Sequence, residues 1–160
     1  MTNAIDVGAV HTSRLGTDLS EAECKALGEV MGVHELADGA VLAREGDSDQ
    51  KLYVLARGSL DVLRQDGDNT QHLHTMQVGE LAGVTGLLSD ASHRTTLRAR
   101  GDAVVYSLER DALESLLENH PHTVYKVMRS IACTAYGIVS ELGGQIEQLV
   151  NYVTKTHGRY

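Results

Sequence analysis

Cysteine is almost absent: Cys24 and Cys133 are the only two, far apart in a chain of 160 residues. That excludes a disulfide framework and fits a reducing compartment. Each lies on or near a helical stripe, so both are expected to be buried, inert thiols. Long apolar runs are missing too. No window reaches the ~18 apolar residues of a membrane span. Residues 1–16 have neither the basic start nor the apolar stretch of a secretory leader. A cytoplasmic protein is expected, with no membrane partner. Positive charge is short: 14 Lys and Arg stand against 22 Asp and Glu, a net charge of −8. Such a field disfavours a nucleic-acid backbone as partner. It does not exclude a small anion, because one arginine at contact distance outweighs a diffuse surface charge.

What is present is apolar enough to fold, at 42% hydrophobic residues, and has the size of one domain. Residues 1–16 read as a loose leader. A helix is expected to start near Thr17 or Asp18, with capping groups at Thr17, Ser20 and Glu21 and a stripe of Leu19, Cys24, Leu27, Val30 and Met31. From Gly32 to Leu108 the pattern is short strands and turns: 33–37, 40–43, 51–56, 59–64, 71–77, 95–100 and 103–108. Gly-containing pairs such as Asp38-Gly39 and Arg57-Gly58 separate them. Seven or more strands at this spacing predict a mainly β fold, a jelly roll with flanking helices. Residues 79–88 carry Gly79, Gly83 and Gly86 and read as a loop with a short helix.

Helix returns at 110–118 and, after Asn119-His120-Pro121, over 121–150, with Pro121 suited to a first turn. Val124, Met128, Ile131, Ala135, Ile138 and Leu142 recur at alternating steps of four and three, the seam of a partner helix. Gly143-Gly144 weakens the helix locally. Residues 17–150 are thus expected to form one domain, and 151–160 a frayed tail.

The order helix, strands, glycine-rich turn, arginine strand, long helix resembles the cyclic-nucleotide-binding domain family. The residues that carry it are "ADGAVLAREGD" around Gly39, "KLYVLARGSLDVL" around Gly58, and "GELAGVTGLLSDASHRTTLRA", which looks like the family's phosphate-binding cassette. The resemblance covers about 33–150. It implies a double-stranded β-helix with an N-terminal helix and a long C-terminal dimerisation helix. It also implies a regulatory module rather than an enzyme, with no required cofactor and with cAMP or cGMP as ligand. The ligand contacts it implies are Gly83, Val84 and Thr85 in the cassette, Arg94 on the phosphate, Thr95 beside it, Thr96 facing the base, and Tyr136 and Ser140 from the C-terminal helix. A homodimer and a separate protein partner are implied as well.

One position departs from the family. The resemblance calls for a ribose-binding glutamate after a glycine, ten residues before the arginine; here that residue is Val84, after Gly83. Glu80 lies fourteen residues before Arg94 and matches an earlier glycine–acid pair. A degenerate roll serving as an interaction or dimerisation scaffold is therefore an alternative. The family's DNA readers carry a further module after the long helix; the chain here reaches Tyr160 with no basic patch, so DNA binding is not expected.

A third reading starts from His72 and His74. Residues two apart on a strand share a face, and with Glu80 they resemble the metal motif of cupins, which would make this a metalloenzyme. The spacing to Glu80 is too long, and the second cupin motif needs a proline that the roll lacks. A polar strand face is the simpler account. Asp66-Gly67-Asp68-Asn69 lacks the calcium-loop glutamate, Gln77 standing in its place, and reads as a hairpin turn.

Overall fold

A computed structural model describes residues 4–157, with side chains through Thr154. Among these, α1 spans Val7–Thr12 and α2 Glu21–Val30. The strands follow: β1 Gly32–Leu36, β2 Val41–Ala43, β3 Lys51–Asp66, β4 Asn69–Met76 and β5 Leu81–Ala82. A short α3, Val84–Leu88, precedes β6, Thr96–Glu109; then come α4, Arg110–Glu114, and α5, Pro121–His157. The strands pair antiparallel in the order β1-β6-β3-β4, with β2 on β6 and β5 on β3. This is the expected jelly roll with flanking helices.

Fewer strands form than the turn signals predicted, because two glycine sites bend strands instead of ending them. Segments 51–56 and 59–64 are one strand, and so are 95–100 and 103–108. At Gly58 the backbone is left-handed (φ +86°), and the pairing of β3 with β6 shifts on either side of Arg57. A Cβ there would lie 2.4 Å from the Asp102 carbonyl oxygen. Only glycine fits such a bulge, which folds the long strand around the roll. The Asp66–Asn69 link is a hairpin turn, as read.

Strand β3 has two buried faces, which explains its unbroken apolar run. Tyr53 and Leu55 point into the roll with Leu60, Met76, Leu97 and Val105. Leu52 and Val54 point the other way, to a core shared with Leu27, Leu108, Leu113, Val127 and Ile131 of the helices.

Two expectations about the ends are corrected. The leader is not loose: Val10 and Leu15 are buried in the helix-side core. Asp6 Oδ1 caps α1 by accepting from the Gly8 amide at 2.8 Å. The Asp6 amide donates to the Tyr106 hydroxyl at 3.0 Å, and the Arg14 amide to the Gly79 carbonyl at 3.0 Å. The second helix starts later than Thr17. Ser20 is its N-cap, in a reciprocal capping box with Glu23. The long helix runs through Gly143-Gly144 to His157 without a frayed segment over 151–157; the last three residues lie outside the described part.

Helix α5 is rooted by buried Thr123, Val124, Val127, Ser130 and Ile131. Lys126 Nζ bonds Glu23 of α2 at 2.9 and 3.1 Å. Beyond Ala135 every described side chain is exposed, including Ile138, Leu142, Ile146, Leu149 and Val153. Cys24 is buried as expected, but Cys133 is exposed on this helix. No helix among the described residues is long and apolar enough to cross a membrane.

Candidate functional site

The cassette begins where β5 ends. Gly83 caps α3 in a left-handed conformation (φ +80°), and a Cβ on it would stand 2.6 Å from the Lys51 carbonyl oxygen. The glycine thus lets the chain lie directly on β3 before turning into the helix. Val84 is the first helical residue, so the helix starts ten residues before Arg94. Glu80 sits before β5, where its Oε2 accepts from the Gln77 amide at 3.2 Å and meets His74 Nε2 at 2.8 Å. It is therefore not the carboxylate at the head of the cassette helix.

Beneath the cassette runs a polar network that sequence reading missed. His93, buried, places its Nε2 2.8 Å from Asp49 Oδ1. The buried Tyr53 hydroxyl donates to Asp49 Oδ2, and the Lys51 amide to Asp49 Oδ1 at 3.1 Å. Burial alone would raise the Asp49 pKa. Hydrogen bonds from Tyr53, His93 and Lys51, with the charge of His93, outweigh it and hold the carboxyl below its usual range. Burial first, and Asp49 second, push the Tyr53 phenol far above its ordinary value, so it remains a donor. Since an ionised carboxylate only accepts, His93 must present an N–H to it. The His93 backbone is tied as well: its N–H donates to Asp47 at 2.7 Å and its carbonyl accepts from Gly46 at 2.8 Å. The residue before Arg94 is thereby pinned by both side chain and main chain.

The other end of the cassette is held by Arg110, the first residue of α4. Its Nε donates to the Leu87 carbonyl at 2.8 Å and its Nη2 to the Gly86 carbonyl at 3.3 Å. Nη1 meets Asp90 Oδ1 at 3.0 Å, which Gln50 Nε2 also approaches at 2.9 Å. Carbonyls near a helix C-terminus lack intrahelical partners; Arg110 supplies them and couples the cassette to the helices. Its hydrogen bond and charge lower the Asp90 pKa.

The predicted contacts divide. Arg94 is exposed, and no hydrogen bond or ion pair engages it among the described residues. Thr85 is exposed and Thr95 half-buried beside Arg94. Val84 is half-buried against the helix-side core. Thr96 is not poised for a base: its Oγ1 accepts from the Glu45 amide at 3.0 Å, and it lines a cleft with Arg44, Arg64 and Arg98. Tyr136 and Ser140 are exposed on the projecting part of α5 and do not close over the cassette. His72 and His74 do not converge. His72 Nε2 meets Asp61 Oδ1 at 3.1 Å, whereas His74 meets Glu80, and no metal-holding cluster of three such side chains forms among the described residues. Asp49, Tyr53, His93 and Arg110 went unread because only folding brings them together; the one local sign was a histidine beside the cassette arginine.

The depressed Asp49 pKa has a measurable consequence. A carboxyl with a lowered folded-state pKa contributes stability above its unfolded pKa and loses it as pH falls through the folded value. Glu23 behaves likewise, lowered by the Ser20 amide and by Lys126. The melting temperature is expected to fall below about pH 4, and Asp49→Asn to flatten that fall. An acid limb unchanged by the substitution would remove Asp49 from the account.

A family model described as a cyclic nucleotide-binding domain matches residues 33–120. A cGMP-dependent protein kinase of Eimeria tenella is 27% identical over 108 residues, which are 68% of this chain and 10% of that protein. The chain thus spans about a tenth of that relative's length. Among solved structures, a cyclic nucleotide-binding domain from Methylobacillus flagellatus superposes with a TM-score of 0.76 at 22% identity, over 89% of this chain and 80% of that one. The catabolite activator protein of Thermus thermophilus gives 0.75 at 24%, over 86% and 63%. At these identities the structural likeness speaks for the fold.

Proposed function

The chain belongs to the cyclic nucleotide-binding domain family, and from that premise we propose that it is a binding module that takes cAMP or cGMP at residues 83–95. Arg94 meets the cyclic phosphate, and occupancy passes through Arg110 to α5 and a second copy of the chain. The observation that carries the reading is the state of Arg94. It is an exposed guanidinium with no hydrogen bond or ion pair among the described residues, yet its neighbour His93 is held by its ring and by its backbone N–H and carbonyl. An arginine that follows a pinned residue and whose charge no described residue pairs is available to an incoming anion.

The ribose end fits less well. Val84 offers no acceptor for a 2′-hydroxyl. A hydrogen bond to a charged group contributes about 1.5–3 kcal/mol. Its loss weakens a ribose ligand by roughly ten- to a hundredfold. Binding that rests on the phosphate is expected to discriminate poorly between cAMP and cGMP. Val84 also favours a second reading, a scaffold that pairs through α5 and takes no nucleotide.

Dimerisation follows from α5. Its exposed stripe repeats every three or four residues for about five turns beyond the body. A second copy supplies the same stripe and covers it by two-fold symmetry. Tyr136 and Ser140 then lie near the partner, not over their own cassette.

A thermal-shift titration with cAMP and cGMP tests the ligand. A ligand at a hundred times its dissociation constant stabilises by about 2.7 kcal/mol. No shift with either nucleotide would leave the scaffold reading. Light scattering tests the pairing: twice the 17.3 kDa chain mass is expected, falling to the single mass in an Ile138→Glu/Leu142→Glu variant. A wild-type monomer at micromolar concentration rules the pairing out.

A further inference from the structure

The face of the sheet opposite the roll interior holds a second basic site. A cleft of about 380 Å³ opens where β2, β6 and β3 run side by side. Val41 pairs with Arg98 and Leu63 with Thr96. Arg44, just past β2, Arg98 from β6 and Arg64 from β3 therefore line one hollow, three arginines from three adjacent strands. Neighbouring strands lie about 4.8 Å apart, well inside the screening distance at physiological salt. Mutual repulsion makes the arrangement costly unless something neutralises it.

The protein does so only in part. The guanidiniums of Arg44 and Arg98 have no hydrogen bond or ion pair among the described residues. Arg64 reaches only a neutral amide, Gln71 Oε1 at 3.2 Å. By contrast Lys51, Arg110 and Lys126 each have a carboxylate within 3.2 Å. Glu45, the one carboxylate lining the cleft, offsets one of the three positive charges, and one of its oxygens accepts from the Gln65 amide at 2.8 Å. The Thr96 hydroxyl accepts from the Glu45 amide and keeps its own proton to donate. In a chain of net charge −8, this is a local reversal of sign lined with donors.

We propose that this cleft binds a compact, multiply charged phosphate: pyrophosphate or the triphosphate end of a nucleotide. Guanidinium forks match phosphate oxygens two at a time. The volume falls in the range of small-molecule sites. No aromatic side chain lines the cleft, so it offers no stacking platform and the ligand is recognised by its charge and not by a base. The site is separate from the cassette, since neither Arg94 nor residues 83–85 line it.

The test uses the full chain and sodium pyrophosphate. Calorimetry in low salt is expected to show binding that weakens as salt rises. The Arg44→Ala/Arg98→Ala variant should lose at least about tenfold, the equivalent of one charge-assisted contact. Arg94→Ala should leave it unchanged. Amide NMR shifts of the wild type provide a readout that needs no variant: Arg44, Gln65, Thr96 and Arg98 should move, and 83–95 should not. Absence of binding at millimolar pyrophosphate overturns the proposal. So does an affinity insensitive to the double substitution, or one abolished by Arg94→Ala with shifts confined to the cassette.

Discussion

Replacing Arg94 by alanine is expected to remove cAMP and cGMP binding by about a hundred- to several-thousandfold while leaving the fold intact. The two halves have different physical origins. Arg94 is exposed and has no hydrogen bond or ion pair among the described residues, so its loss should change stability by no more than about 0.5 kcal/mol, as at an ordinary surface site. A guanidinium on a phosphate makes two parallel charge-assisted hydrogen bonds of about 1.5–3 kcal/mol each; because the two share one guanidinium they are not fully additive, and about 3–5 kcal/mol converts to that range of affinity. Arg94→Lys keeps the charge and loses the fork, so it should fall between wild type and alanine. Calorimetry with all three proteins decides. Equal heats for wild type and Arg94→Ala would take Arg94 out of the site. An intermediate lysine would separate bidentate recognition from simple charge attraction.

The second large effect concerns what lies under the cassette. Asp49→Ala leaves the Tyr53 hydroxyl and the His93 ring N–H without their acceptor, both in residues less than a tenth exposed. A buried donor left unsatisfied costs about 1–3 kcal/mol, so for two donors about 2–6 kcal/mol of stability should disappear. That is a large share of the 5–15 kcal/mol typical of a domain. Asp49→Asn retains one carbonyl oxygen and should lose less. Urea unfolding measures both. A loss under about 0.5 kcal/mol for Asp49→Ala would mean that water replaces the carboxylate at little cost and that the network does not hold the cassette. Because His93 immediately precedes Arg94, Asp49→Ala should also weaken nucleotide binding, although residue 49 makes no contact with the ligand.

The two substitutions separate recognition from support. On the proposed reading Arg94 acts on the ligand and leaves stability alone, whereas Asp49 acts on stability and reaches the ligand only through His93 and the backbone. Arg110 has a third role. It joins the last carbonyls of α3 to the first turn of α4, so movement in the cassette has a direct route to the helices that carry α5.

Much of this was legible in the chain. Short segments separated by glycine-containing turns were enough for the jelly roll, and the three-and-four rhythm after Pro121 for the long helix. The glycine at 83 and the ten-residue interval to Arg94 located the cassette, and with it the valine where the family has a carboxylate. Such features depend on neighbours along the chain: a strand's period of two, a helix's stripe, a left-handed glycine. Where local rules failed, longer-range packing had overridden them. Gly58 looks like a turn, but β6 approaches it so closely that the strand bends and continues. Residues 1–16 look polar and loose, but Val10 and Leu15 find a hollow between helices and sheet. Thr96 follows Thr95 in sequence, but it opens β6 and its hydroxyl accepts from the Glu45 amide in the arginine-lined cleft.

Sequence alone determined the fold family, and it supplied the proposal that Arg94 meets a phosphate and that Val84 stands where a carboxylate is expected, because each depends on order and spacing. Tertiary structure alone decided that Asp49, Tyr53 and His93 meet under the cassette, that Arg110 closes its far end, and that three arginines share one cleft. These contacts join residues up to about fifty positions apart. Their partners are selected by strand register and burial, and neither can be read from a residue's neighbours in the chain.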